Sequence, residues 1–402
     1  MPMVKGEWRM RFSEDLFSNG IRSVSGSAIR DIFKLLGRQG MISFAGGNPS
    51  MRALEPDVAR ELSCRAIDRY GASILQYGGT EGLPALREQT AKYLSETAQV
   101  RCTAGNILPV QGSSQAFDLL LKALINPGDV VLIESPTFLG AIQALRIYGA
   151  KLIDMPMDEE GVIVDRVEAL VKQYRPKLMY IIPTFQNPTG RTLSLERRRA
   201  LAQMAARNGF VIAEDDPYRD LRYAGDPLPS ISSFDEEDWV VYLSSFSKYI
   251  SPGLRVGAAA VPNEKLLRKM VIGKQSTDVH SPLLTQAIVS LYLEEGRLPE
   301  HLTRICDLYR KQLDAMLDGF SALPAGTRHT LPQGGLFIWA ALPEGMDAQA
   351  LLAGAVEKGV AYVPGTHFYA DGEHANTLRL NFSMCEPEAI CEGMHRLAAA
   401  LK

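Results

Sequence analysis

Apolar segments of strand length alternate with helical segments from about residue 56 to residue 280. This alternation limits the fold of the chain more than any other feature, because short strands separated by longer helices predict a mostly parallel, doubly wound α/β sheet covered on both faces. The predicted strands are Asn106–Val110, Val130–Ile133, Lys151–Met155, Leu178–Ile182, Phe210–Ala213, Val240–Leu243 and Val256–Val261. The predicted helices include Gln115–Ile125, Thr137–Tyr148, Val164–Gln173, Leu195–Asn208 and Glu264–Ile272.

The two ends of the chain follow a different pattern. Residues 28–36 predict a helix, and an extended segment at Met41–Phe44 leads into a glycine-rich turn. Residues 282–322 are nearly all helical, and the C-terminal part then mixes strands (335–341, 361–363 and 378–382) with helices (348–357 and 386–401). We therefore expect a large domain at residues 56–295. A smaller α+β domain is expected from the N-terminal arm at residues 1–55 and the C-terminal residues 296–402.

Composition and charge exclude several classes of protein. The net charge of −3 offers no electrostatic basis for binding nucleic acid or a membrane surface. The five cysteines are scattered without a Cys-x-x-Cys pair, which argues against a metal site and a disulfide framework. No segment reads as a signal peptide or as a membrane span. These features predict a cytoplasmic protein.

Lys248 lies in a polar loop directly after the predicted strand Val240–Leu243. Ser245 and Ser247 flank it, and Arg255 follows seven residues later. A lysine amine forms a Schiff base with an aldehyde, and hydroxyl groups with an arginine fork hold a phosphate. Pyridoxal 5′-phosphate (PLP) contains both an aldehyde and a phosphate, so the loop predicts a PLP site. The competing interpretation is a solvated loop with Lys248 exposed.

Two more polar segments follow predicted strands, where ligands bind in a doubly wound sheet. The segment Gln111–Gln115 contains Ser113 and Ser114 and opens a helix, which suits an anion. A simple helix cap would explain the same residues. Asp215 and Tyr218 follow the fifth predicted strand. A carboxylate there can pair with a pyridinium nitrogen, although an acidic cluster before a proline is also typical of a solvated turn.

Three other side chains have both a functional and a structural interpretation. Asn187 lies in a loop with two prolines and a glycine, and it could donate a hydrogen bond inward or belong to an ordinary turn. Phe138 could stack on a planar ring or join the core. Arg379 lies inside an apolar strand pattern, and a buried arginine needs an anion. That anion is either a substrate carboxylate or the carboxylate of a structural salt bridge.

Together and in this order, these segments resemble the fold type I PLP-dependent aminotransferases of class I/II. Within them, the chain is most similar to the group of 2-aminoadipate, kynurenine and broad-specificity aromatic aminotransferases. The resemblance extends over nearly the whole chain, from Ser27 to Arg379. The matching segments are Gln76–Gly78, Gly112–Gln115, Glu134–Thr137, Asn187–Gly190, Glu214–Tyr218, Ser245–Lys248 and Gly253–Arg255.

The resemblance implies how PLP is held in a homodimer with shared active sites. Lys248 would carry the cofactor and move protons, Asp215 would pair with the pyridine nitrogen, and Phe138 would stack on the ring. Tyr218 and Asn187 would hydrogen-bond to the phenolic oxygen. The phosphate would be held by Ser113, Ser114, Ser245, Ser247 and Arg255, with Tyr77 contributed by the neighbouring subunit.

The resemblance also implies a substrate site. Arg379 and Asn187 would bind the α-carboxylate end, and Gly47 would line the entrance. Arg30, on the predicted N-terminal helix, would meet a distal carboxylate or stack on an aromatic ring. The chain departs from this group in two places, of which the second bears on substrate choice. Phe138 stands where this group commonly has tyrosine, and residues 46–51 lack the usual proline-rich continuation beside the side-chain pocket.

We expect amino-group transfer from an aromatic, 2-aminoadipate or other α-amino acid donor to a 2-oxo acid such as 2-oxoglutarate. A PLP lyase, cyclase or synthase on the same fold is the first alternative, because fold does not determine chemistry. A non-catalytic effector-binding domain, as in regulators that join this fold to a DNA-binding module, is the second. The charge and the short segment before Arg30 argue against it.

Overall fold

The computed structural model describes residues 13–24 and 40–402. The predicted helix at residues 28–36 and Arg30 lie outside the described residues. The strands are β1 (Ile42–Ser43), β2 (Ile107–Val110), β3 (Val130–Ser135), β4 (Lys151–Asp158), β5 (Gly161–Val162), β6 (Leu178–Ile181), β7 (Val211–Asp215), β8 (Val240–Ser245), β9 (Gly257–Ala260), β10 (Arg328–His329), β11 (Phe337–Ala341), β12 (Val360–Ala361), β13 (Val363–Pro364) and β14 (Thr377–Asn381).

The helices connect these strands and cover the sheets. They are α1 (Asn19–Arg22), α2 (Pro56–Tyr70), α3 (Pro84–Ala98), α4 (Ser113–Leu124), α5 (Leu139–Ile147), α6 (Val164–Tyr174), α7 (Leu195–Asn208), α8 (Glu264–Thr277), α9 (Leu283–Glu294), α10 (Leu298–Gly319), α11 (Ala348–Glu357) and α12 (Pro387–Ala400). Each of these helices is too short or too polar to cross a lipid bilayer.

The largest sheet has eight strands in the order β2-β9-β8-β7-β6-β3-β4-β5. Strands β8, β7, β6, β3 and β4 run parallel to one another, whereas β9 runs antiparallel to both β2 and β8, and β5 runs antiparallel to β4. The prediction of a mostly parallel α/β sheet is therefore confirmed. The predicted strands differ from the observed ones by up to three residues at an end, and the two-residue strands β5 and β10 were too short for a sequence pattern to reveal.

The two faces of this sheet bury different helices. In β3, Val131 and Ile133 belong to one apolar cluster together with α4 and α5. Leu132, between them, belongs to a second cluster with α6 and α7. Successive strand residues point to opposite faces, so a strand buried on both faces must be apolar throughout. This accounts for the uninterrupted apolar runs in the sequence.

The N-terminal segment joins the C-terminal part of the chain. Strand β1 pairs with β12 in parallel, and Ile42 lies opposite Val360. A four-stranded antiparallel sheet, β10-β11-β14-β13, lies in the same C-terminal part. This pairing agrees with a smaller domain built from both chain ends, although its boundaries at residues 55 and 295 stay a prediction.

The antiparallel strand β9 lies very close to the turn after β2. A Cβ added at Gly257 would lie 2.7 Å from the carbonyl oxygen of Ser244 and 2.8 Å from the Cα of Gly112. Both neighbours are backbone atoms, which cannot move aside as a side chain can. Gly257 therefore allows β8, β9 and the turn at Gly112 to approach one another.

We expect Gly257→Ala to lower the free energy of unfolding by about 1–3 kcal/mol, the usual cost of overpacking. Urea unfolding monitored by circular dichroism measures the change. Gly354→Ala is the control, because a Cβ at this helical position meets nothing within 4 Å. It should leave stability unchanged or raise it by about 0.5–1 kcal/mol. Equal stabilities for the two variants would contradict the close approach.

Candidate active site

Asp215 is the last residue of β7 and is 5% exposed. Its Oδ2 accepts a 2.7 Å hydrogen bond from the Tyr180 hydroxyl, whereas Oδ1 is buried and has no hydrogen-bond partner within the described residues. Burial raises the pKa of Asp215 to about 6, against the opposing effect of the bond from Tyr180. Because Asp215 is buried, it does not lie in a solvated turn. A buried oxygen without a donor suits a ligand N–H group, such as that of a pyridinium ring.

Lys248 is partly buried, and its Nζ donates a 2.9 Å hydrogen bond to the carbonyl oxygen of Gly47. The same Nζ lies 6.0 Å from the centre of the Tyr218 ring. Burial lowers the pKa of Lys248 to about 8, and the charges of Arg379 and Arg255 also lower it, against the opposing effect of Asp215. An amine with this pKa is partly neutral near physiological pH and can act as a nucleophile or as a base.

The turn between β2 and α4 has the features of an anion site. Ser113 and Ser114 are the first two residues of α4, and the helix has no side-chain cap. Its first N–H groups are therefore free to bind an anion. Gly112, which precedes the helix, has a φ of +90°, and a Cβ there would lie 2.7 Å from Nη2 of Arg255. The glycine thus allows the guanidinium to lie directly beside the helix start.

Two serines extend this corner: Ser245 is the last residue of β8, and Ser247 lies on the loop that follows. Ser245 and Ser247 are buried, and the Ser245 hydroxyl accepts a 3.3 Å hydrogen bond from the backbone N–H of Ser247. Nη1 of Arg255 donates a 3.3 Å hydrogen bond to the Ser247 hydroxyl. These predicted phosphate residues therefore lie together.

Arg379 is a buried cation without a carboxylate partner in the described part of the chain. It lies in β14 and is 2% exposed. Its Nη1 donates a 2.9 Å hydrogen bond to Oδ1 of Asn187, and its Nη2 donates a 2.8 Å hydrogen bond to the carbonyl oxygen of Ala45. The Nε atom is buried without an acceptor. Burial lowers the pKa of Arg379 to about 10. Since no carboxylate among the described residues pairs with Arg379, the salt-bridge interpretation is wrong there. A ligand carboxylate would supply the negative charge that the cation lacks.

Asn187 links Arg379 to Tyr218. Its Nδ2 donates a 3.3 Å hydrogen bond to the Tyr218 hydroxyl, while its Oδ1 accepts the bond from Arg379. Both Asn187 and Tyr218 are buried, and burial raises the pKa of the Tyr218 hydroxyl above its ordinary value. The Asn187 side chain therefore points inward, which agrees with the first of its two interpretations, an inward hydrogen bond.

The other predicted site residues lie in varied surroundings. Phe138 is half-buried against the core and directly precedes α5. Gly47 is partly buried near the Phe337 ring, which would lie 3.2 Å from an added Cβ. Tyr77 is 80% exposed and makes an edge-to-face contact with His280, with 5.9 Å between ring centres.

Three residues of this site did not stand out in the sequence. Tyr180 looks like one more strand residue, yet it donates the hydrogen bond to Asp215. Phe337 and Phe368 lie on the Arg379 guanidinium, with ring centres 4.2 and 4.9 Å from its Cζ. A lone tyrosine next to a predicted strand end is the one signal that could have pointed to Tyr180.

A buried carboxyl group joins two loops of the site. Oε2 of Glu134 accepts hydrogen bonds from the Ile182 N–H, at 3.0 Å, and from Nε2 of Gln186, at 3.2 Å. Burial raises the pKa of Glu134 to about 8. Glu134 thereby connects the end of β3, which leads to Phe138, with the loop that contains Asn187.

Comparison with known proteins identifies the family. The sequence profile of aminotransferase class I and II matches residues 40–397. The chain belongs to the class I and II aminotransferases. It is 40% identical over 396 residues to an aromatic-amino-acid aminotransferase of Thermococcus litoralis, covering 97% of this chain and 94% of that protein. It is also 40% identical to the 2-aminoadipate transaminase of Thermus thermophilus, covering 96% and 97% of the two chains.

A solved aminotransferase structure agrees with this assignment. The crystal structure of the kynurenine aminotransferase of Pyrococcus horikoshii, in complex with PMP, matches with a TM-score of 0.92 at 38% identity. The match covers 96% of this chain and 97% of that chain. The predicted aminotransferase activity and PLP-transferase fold type I are thereby confirmed.

PLP is the cofactor of this aminotransferase family, and the residues described above fit it. Asp215 has a buried oxygen without a donor, and Lys248 offers an amine of lowered pKa. The uncapped start of α4 beside Arg255 suits a phosphate. These residues would hold the pyridine nitrogen, the aldehyde carbon and the phosphate of the cofactor, respectively.

The charge of Arg379 should be visible in the titration of Lys248. We expect Arg379→Met to raise the pKa of Lys248 in the cofactor-free enzyme, because it removes a positive charge that lowers this pKa. The rate of Lys248 acylation as a function of pH, followed by peptide mapping, measures the shift. Arg310→Met is the control, since Arg310 is largely exposed and pairs with Asp307. Identical Lys248 profiles in all three proteins would refute the coupling.

Proposed function

We propose that this aminotransferase moves the amino group of an aromatic amino acid, 2-aminoadipate or a related donor to a 2-oxo acid such as 2-oxoglutarate. The observation that carries the proposal is Arg379, a buried guanidinium without a carboxylate partner in the described residues and held on the same hydrogen-bonded chain as Asn187 and Tyr218. Every α-amino acid and every 2-oxo acid has the carboxylate that this cation lacks. The donor range follows the names of the two relatives at 40% identity.

The proposed roles at the cofactor follow from the contacts. Asp215 holds the pyridine nitrogen protonated, and PLP then supplies an electron sink for the bond that breaks at the substrate Cα. The Nζ of Lys248 would take the proton from the substrate Cα and deliver it to the former aldehyde carbon of the cofactor. Tyr218, aligned by Asn187, donates to the phenolic oxygen of the ring. Phe138 stacks on the ring.

The phosphate is proposed to bind where three elements meet. Ser113 and Ser114 present the start of α4, and Ser245 and Ser247 present hydroxyls from the end of β8 and the loop after it. Arg255 lies against both elements. A phosphate with hydroxyl donors, helix N–H groups and a guanidinium is held by charge-assisted hydrogen bonds.

The active unit is proposed to be a homodimer in the cytoplasm. Tyr77 is 80% exposed and makes an edge-to-face contact with His280. A tyrosine presented in this way can reach the phosphate of a second copy. Leu75, two residues before Tyr77, and Val279, directly before His280, both have exposed apolar side chains. A dimer contact would cover them.

The substrate side chain is proposed to lie between Gly47 and the N-terminal segment. Gly47 accepts the hydrogen bond from Lys248, so it borders the reacting end of the substrate. Arg30, outside the described residues, is the proposed contact for a distal carboxylate or an aromatic ring.

Lys248→Ala should lower kcat/KM by about 10²–10⁴-fold, the usual contribution of a positioned proton-transfer group. Borohydride reduction of the wild-type enzyme followed by peptide mapping should label Lys248. Lys274 is the informative comparison, because its side chain is fully buried and paired with Asp278. A label on Lys274 would show that the cofactor lysine is wrongly assigned.

Asp215→Asn should keep PLP bound but lower kcat by about 10- to 150-fold, which corresponds to the 1.5–3 kcal/mol of a charged hydrogen bond. Asp216→Asn is the matched control, since Asp216 is equally buried but accepts its hydrogen bond from Tyr242. Steady-state kinetics and the cofactor absorbance spectrum provide the measurement. If Asp216→Asn were the more damaging change, the pyridine contact would belong to Asp216.

Arg379→Met should raise KM for every amino acid and every 2-oxo acid, by about 10- to 150-fold for the loss of 1.5–3 kcal/mol. The α-carboxylate is common to all these substrates, so the ratios between them should stay constant. A donor panel with one aromatic, one acidic and one small aliphatic amino acid checks this. A loss confined to one class of side chain would contradict the role.

A further inference from the structure

Lys274 is a fully buried lysine. Its side chain, near the C-terminal end of α8, is 0% exposed. The Nζ donates hydrogen bonds of 3.0 and 2.9 Å to the two carboxylate oxygens of Asp278, and one of 2.9 Å to the Ser281 hydroxyl. A fourth contact, of 3.2 Å, reaches Oε1 of Gln115. All of these acceptors lie on α8, on the segment that follows it, or on α4.

Asp278 continues this network to the turn between β2 and α4. Its Oδ2 accepts hydrogen bonds from Nε2 of Gln111, at 2.8 Å, and from Nε2 of Gln115, at 2.7 Å. Oε1 of Gln115 in turn accepts a 2.8 Å bond from the Gln111 N–H. The two glutamines bracket Ser113 and Ser114, so the ion pair holds both ends of the segment that presents these serines.

The same turn also holds the phosphate arginine. Nη2 of Arg255 donates a 2.5 Å hydrogen bond to the carbonyl oxygen of Gln111. The chain of contacts therefore runs from Lys274 through Asp278 and Gln111 to Arg255. A displacement of Gln111 would move the acceptor that orients the guanidinium and the first turn of α4 together.

Stability alone is a weak reason for this arrangement. A buried ion pair often stabilises a protein no more than apolar residues of the same size, because both charges lose their hydration. Such a pair instead fixes the positions of the groups around it, because its hydrogen bonds require a definite position for each member. Here the positions that it defines belong to the proposed phosphate site.

We infer that the Lys274–Asp278 ion pair positions the phosphate-binding turn and so determines how strongly the enzyme holds the phosphate group of its cofactor. Lys274 and Asp278 are positioning residues, since neither touches the reacting atoms. The inference rests on the proposed phosphate site at Ser113, Ser114 and Arg255.

The test compares PLP with pyridoxal, which has the same aldehyde and ring but no phosphate. The full-length enzyme, freed of cofactor by dialysis, is titrated with each compound. The Kd for pyridoxal divided by the Kd for PLP reports the contribution of the phosphate. Lys274→Met should lower this ratio about tenfold, the effect of losing one hydrogen bond of the charged kind. The Kd for pyridoxal itself should change by less than about threefold, within ordinary context effects of a distant substitution.

Arg197→Met is the matched control. Arg197 also pairs with a carboxylate, that of Asp158 at 2.6 Å, and bonds to two backbone carbonyls. It anchors β4 and β5 at the opposite edge of the large sheet from β2. Its loss should change thermal stability but leave the ratio of the pyridoxal Kd to the PLP Kd as in the wild type.

Two further variants make the result decisive. Gln111→Ala keeps the ion pair but removes one of the two glutamine bonds that tie Asp278 to the turn. It should lower the ratio in the same direction but by less, and it carries the test if Lys274→Met does not fold. Arg255→Met should lower the ratio whatever the role of Lys274. An unchanged ratio for Arg255→Met would show that the phosphate site itself is wrongly assigned. A lowered ratio for Arg255→Met together with an unchanged ratio for the folded Lys274→Met or Gln111→Ala would overturn the inference about Lys274 alone.

Discussion

A buried positive charge connects the two sheets of this aminotransferase. Arg379 belongs to the four-stranded sheet, but its guanidinium is held by Asn187, which follows β6 of the eight-stranded sheet. Removing a cation from water is costly unless other groups replace its hydration. Amide and backbone oxygens replace it only in part here, because the described residues supply no carboxylate. Arg379 therefore joins the four-stranded sheet to the loop after β6 and still lacks an anionic partner among these residues.

The same charge determines the chemistry of the neighbouring lysine. Arg379 and Arg255 both disfavour the charged form of Lys248, and Asp215 favours it. Two guanidinium groups near the lysine favour anionic ligands, and a cofactor phosphate together with a substrate carboxylate would supply that negative charge. Binding of those anions would offset the charges that lower the lysine pKa. The amine and its ligands thus influence one another through the field of the site.

Much of this site could be predicted from the sequence, because charged residues at the ends of apolar strands have few structural reasons to be there. Asp215 and Lys248 are examples, because they lie at or just after the ends of β7 and β8, which are parallel neighbours in the predicted sheet. Arg379 gave a different signal, a charged residue inside the apolar strand β14 of the four-stranded sheet. Tyr180 and Phe337 could not be predicted in the same way, since the pattern of a fully apolar strand does not say which neighbour its residues meet. That information lies in the register between strands, such as Ile133 opposite Tyr180. The network around Lys274 also escaped prediction, because it depends on side chains more than 150 residues apart.

The hydrogen bond from Arg379 to the carbonyl oxygen of Ala45 has an evolutionary consequence. A carbonyl acceptor is present whatever side chain the residue carries, so mutation cannot remove it directly, but changes in the path of residues 40–47 can move it. Such changes would alter recognition of the part shared by all substrates. Changes in side chains at the entrance would instead alter preference among substrates. Side chains in this segment could therefore vary widely, provided that the backbone path that places the Ala45 carbonyl stays the same.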